Sequence, residues 1–162
     1  QIIENTDTVL DYTKNELKAD EVNIFVSDEK IPFNNTSLET VIIKTDYIKG
    51  FNEFKNQSDS EKAIIKKVND SLHKKDIALN KNFTTNVLND NSAKSDMNKY
   101  NYILYFSNFI DGQLFAQLVP YNYEINKDIS FKEVAFGTGF SFLFNIEDGR
   151  IVKKYHDKVH FN

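Results

Sequence analysis

The sequence predicts an α+β fold: an antiparallel, curved β-sheet ending in two long hairpins, with the N-terminal and central helices packed on one face. Three observations carry this. Apolar runs flank Asp111-Gly112 and again flank Asp148-Gly149, and such a dipeptide takes positive φ at both central positions of a tight type I′ turn. Ser58-Asp59-Ser60-Glu61 is a capping box, and Ile64, Ile65, Val68 and Leu72 follow it at helical spacing. Aromatic residues make up 14% of the chain, all of them Phe and Tyr, types that suit pleated, half-buried positions. At 162 residues, one domain spanning 1–162 buries a core without covalent staples.

Taken in order, Thr6 to Lys18 carries Val9, Leu10, Thr13 and Leu17 on one helical stripe, with Asp7, Asp11, Lys14 and Glu16 off it. Over Glu21–Ser27 the period changes to alternation, which predicts a strand, and Ser27 to Lys30 reads as a turn. Leu38–Lys44, with Val41, Ile42 and Ile43, reads as a second strand. Asp46–Lys55 places Tyr47, Ile48, Phe51 and Phe54 on one side of a helix that Gly50 weakens. The capped helix follows. From His73 to Lys99 the apolar pattern thins, so an irregular excursion is expected, with a short helix near Thr85 and a mobile loop around 90–95.

Centring the first hairpin on Asp111-Gly112 pairs Tyr105 with Leu118 and Leu104 with Val119, with both faces apolar, so this hairpin should be central and covered on both sides. In the second, Glu147 opposes Arg150, and regular continuation pairs Phe144 with Lys153, Phe142 with Tyr155 and Ser141 with His156. One face then holds Phe140, Phe142, Phe144, Ile146, Tyr155, Val159 and Phe161. The other holds Gly139, Ser141, Leu143, Lys154, His156, Lys158 and His160. This contrast between a greasy and a polar face makes Ser141, His156, Lys158 and His160 the candidate surface for a ligand or partner.

Composition narrows the partners. The formal charge is −4 and Arg150 is the only arginine, while phosphate recognition favours a concentrated basic surface with arginine forks. The lysine pairs 66–67 and 74–75 have acidic neighbours and read as solvated helix face. Nucleic acid is therefore not the expected partner. Cysteine is absent, which excludes disulfides, thiolate catalysis and Cys-based zinc sites. No apolar run is long enough for a transmembrane segment. The sequence begins at Gln1, an acceptable residue after signal cleavage, so an exported bacterial protein, periplasmic or extracellular, is the expectation. The N-x-Ser/Thr sequons at Asn34, Asn35, Asn56, Asn69 and Asn82 follow from the richness in these residues.

No catalytic motif survives inspection. His156-Asp157-Lys158-Val159-His160 has the i, i+4 histidine spacing of a helical zinc site, but alternation puts it on a strand, where four residues span about 13 Å. No metal and no cofactor is expected. Gly137-Thr138-Gly139 lacks the further glycine and following helix of a phosphate cradle, and its glycines read as allowing sharp coiling of a long strand or close packing by a neighbouring element. Ser141 and His156 are expected neighbours, but Asp157 should face away, leaving no orienting acid.

The order of elements (helix, short strands, helical pair, excursion, two long hairpins) resembles in its topology the NTF2-like and cystatin-like folds, where helices pack into a curved sheet. No motif carries over with that resemblance, and it implies no site residues. The functional expectation is a non-enzymatic, exported protein-interaction module. The alternative is a small-molecule-binding or enzymatic domain with a pocket between helices and sheet.

Overall fold

A computed structural model describes residues 7, 9–11, 13–15, 22–84, 98–121 and 137–161. The fold is α+β. Five strands, β1 (Ile24–Lys30), β2 (Tyr102–Phe106), β3 (Gln113–Pro120), β4 (Gly137–Glu147) and β5 (Arg150–Phe161), form one mixed sheet in that order. The neighbours from β2 to β5 are antiparallel, whereas β1 runs parallel to β2. The all-antiparallel expectation fails at β1 because its link to β2 is a long crossover containing the helices, and a crossover returns the chain in the same direction. The turn expected at Ser27 to Lys30 is instead the end of β1, and the register shift there coincides with the Ser27 hydroxyl accepting the Glu29 N–H at 3.1 Å.

Both hairpin tips form as expected. Asp111 and Gly112 have φ of 49° and 72°, Asp148 and Gly149 47° and 75°. Away from the tips each hairpin slips by one residue. Ile110 still bridges Gln113, but Tyr105 pairs with Gln117 and Leu104 with Leu118. The extra residue is absorbed at Ser107 to Phe109: Ser107 bonds Phe115 through both backbone and hydroxyl, and Phe109 is pushed out to 52% exposure. In the second hairpin Ile146 faces Ile151, then Asn145 faces Lys153, so Val152 is the bulged residue.

That single bulge reassigns β5, because side chains alternate and a shift of one residue exchanges the faces. Cross-strand rows follow directly. On the first face Phe106, Ala116, Phe142 and His156 lie in line, flanked by the rows Leu104–Leu118–Phe140–Lys158 and Leu114–Phe144–Lys154. Phe140, Phe142 and Phe144 are fully buried there, with Val9, one of the N-terminal helical residues 7, 9–11 and 13–15, packed in the same cluster. Each such phenylalanine contributes about 1.5–3 kcal/mol by burial. On the second face Phe115, Leu143 and Tyr155 pack against Phe33, Leu38, Ile42, Ile43, Ile48 and Val68. The N-terminal helical residues and the central helices therefore cover opposite faces. This corrects the expectation of one covered face and agrees with the inference that the β2–β3 hairpin is buried on both sides.

The central helical layer is more compact than the sequence suggests. The capping box holds: Ser58 N–H donates to Glu61 Oε2 at 2.8 Å, the Ser58 hydroxyl accepts from Glu61 N–H, and the helix runs Asp59–Leu79, past the expected fading at His73. The β-branched stretch read as a strand is instead a 3₁₀ turn (Asn35–Leu38), an α-turn (Glu39–Ile42) and a π-turn (Ile43–Tyr47). Leu38, Ile42 and Ile43 all face the sheet, a spacing that only a helix allows, so packing overrides propensity. The long helix holds this layer in place. Asp76 accepts hydrogen bonds from the N–H groups of Asn35 and Thr36 and from both their side chains, at 2.7–3.1 Å. One turn later, the Asn80 amide bonds both the N–H and C=O of Phe33 at 2.8 Å. Beyond Tyr47 the chain turns at Gly50 and no helix spans 46–55. The helix expected near Thr85 and the loop at 90–95 lie outside the described residues. Among those described, no helix is long and apolar enough to cross a membrane.

Candidate functional site

The slipped register separates the sequence-predicted site residues. His156, Lys158 and His160 share the first face of β5, where His156 lies beside Phe142 (ring centroids 6.4 Å apart), Lys158 opposes Phe140, and His160 approaches Thr138 at 3.3 Å. They flank the phenylalanine ladder instead of projecting away from it. Ser141 is on the other face, fully buried, in the cross-strand row Tyr105–Gln117–Ser141–Asp157. It has left the group because Val152 consumes one position of β5. Its buried hydroxyl makes no hydrogen bond with the described residues. Ser141 now has Asp157 opposite it and His156 behind the sheet, so no serine–histidine relay forms there.

Of the two roles expected for the glycines, sharp coiling or close packing, Gly139 has the second. A side chain there would overlap the Leu118 carbonyl oxygen and come within 2.6 Å of the Phe161 ring. Among the described residues no cluster of three or more His, Asp or Glu could hold a metal ion.

Sequence reasoning missed a polar knot on the second face. Lys153 Nζ donates to Asp46 Oδ1 at 2.6 Å, and the Tyr155 hydroxyl donates to Asp46 Oδ2 at 2.5 Å. Lys153 also sits over the Tyr155 ring, 4.9 Å from its centroid. Burial pushes the Asp46 carboxyl up, but the bonds from Lys153 and Tyr155 outweigh it and hold the group below the usual carboxylate range. Burial and the bond to Asp46 push the Tyr155 phenol up. The knot ties the π-turn to β5 across more than a hundred residues. No local signal announces such a contact.

Beside the knot, an open cleft of about 600 Å³ lies between the end of the long helix, the Asp111-Gly112 tip and the tip end of the second hairpin. Its floor is the row Gln113–Asn145–Lys153, where Gln113 Nε2 donates to Asn145 Oδ1 at 2.7 Å. Lys75, Asp111 and Glu147 line its walls. Although much of the Lys75 side chain meets solvent, partial burial in the cleft holds its amine below the usual lysine range, against the pull of Asp76 and Asp111. No aromatic residue lines the cleft.

The outermost strand offers a different kind of surface. β5 is 12 residues long, and among the described residues no strand pairs with its outer edge. Arg150, Lys153, Lys154, Lys158 and His160 are exposed on it, and Asp157 is its one acidic residue. No protein-family model, no curated protein and no solved structure matches this chain.

Proposed function

We propose that this chain is a non-enzymatic protein-interaction module whose contact surface is the outer strand of the terminal hairpin. The observation that carries the reading is the length and openness of β5: 12 residues at the end of the sheet, most of them exposed. An unpaired sheet edge presents a row of backbone donors and acceptors to an incoming chain. His156, Lys158 and His160 belong to this surface, and Ser141, buried on the opposite face, does not. The buried phenylalanine ladder makes the edge rigid, which lowers the cost of ordering an interface.

The test is selection of peptides from a random display library on the intact chain, followed by residue-resolved amide hydrogen exchange of the complex. Protection gained within Arg150–Phe161 supports the reading. Protection confined to the surroundings of Lys75, Gln113 and Asn145 refutes it.

One observation favours a second reading, a small-molecule site in the cleft between helix and sheet. The amide pair and the opposed charges converge on a space large enough for a ligand. On this reading the loose likeness to NTF2-like and cystatin-like layouts supplies the architecture. A ligand panel scored by thermal shift, repeated on Gln113→Ala, tests it: stabilisation should disappear in the variant.

A further inference from the structure

We draw no further inference here: the strongest candidate, the open cleft between the end of the long helix and the two hairpin tips, belongs to the site already described, and its charged groups already face opposite charges within the chain (Lys153 beside Asp46, Lys75 near Asp76 and Asp111, Glu147 across from Arg150), so nothing in it selects a ligand class.

Discussion

Replacing Asp46 with Ala tests the bulged register of β5, since that register alone brings Tyr155 to Asp46. The variant removes the acceptor of the Tyr155 hydroxyl (2.5 Å) and of Lys153 Nζ (2.6 Å). Tyr155 is 7% exposed, so its hydroxyl loses a charge-assisted bond in a largely dry place, at about 1.5–3 kcal/mol. The Lys153 side chain is 42% exposed, and its ion pair adds only about 0.2–1 kcal/mol. Urea unfolding should therefore show a loss of about 2 kcal/mol, or roughly 4–8 °C in Tm for a chain of this size. Tyr155→Phe should cost less, and the double variant should cost less than the sum, with a coupling of about 1 kcal/mol.

The pH dependence has a definite sign. The folded Asp46 pKa lies below its unfolded value, so this stabilisation is present above the unfolded carboxylate pKa of about 3.9 and is lost as pH falls through the folded value. Tyr155 and Lys153 both have folded pKa values raised above their ordinary ones. Their contribution is complete below about pH 10 and is lost as pH rises through the folded values. The difference between parent and Asp46→Ala should thus be flat from about pH 5 to 9 and shrink at both ends. In a regular hairpin Tyr155 would face Phe142 and never meet Asp46. An Asp46→Ala variant within 0.5 kcal/mol of the parent, with no coupling to Tyr155, would falsify the register on which both readings stand.

Three further outcomes are expected. Gly112→Val and Gly149→Val should each destabilise by about 1–2 kcal/mol, because φ of 72° and 75° is costly for a β-branched residue. Gly112→Val should be the worse, since its Cβ would come within 3.1 Å of the Ile146 carbonyl oxygen; equal thermal denaturation of parent and variants contradicts the turns. Gly139→Ala should prevent native folding, because the new Cβ meets backbone that cannot swing aside. A native circular dichroism spectrum and unchanged Tm for that variant would mean β3 and β4 are further apart than described. Asp76→Ala, which strips Asn35 and Thr36 of their shared acceptor, should cost about 2–3 kcal/mol and speed amide exchange at those two residues first. Slow exchange at both in the variant would count against the clamp.

What the sequence determined by itself was local. The positive-φ turns at Asp111-Gly112 and Asp148-Gly149, the capping box at Ser58 and the stripe through Ile65, Val68 and Leu72 each depend on residues within about four positions of one another, and each formed as read, with Ile64 alone of that stripe left exposed. The general α+β character followed from those pieces. What only tertiary structure decided was long-range. Within the run Leu38 to Ile43, Thr40 to Ile43 are β-branched and would suit a strand, but helical spacing is the one that reaches Phe115 and Leu143, with Asp76 holding the preceding turn at Asn35 and Thr36 from forty residues away. The direction of β1 depended on the crossover that follows it. The faces of β5, and with them the separation of Ser141 from His156, turned on a single bulged residue. Near the tip Glu147 still meets Arg150 in either register, so local pairing cannot choose between them. The choice belongs to Tyr155, whose ring is buried against the helical layer and whose hydroxyl finds Asp46, a partner too distant in sequence to leave any periodic trace.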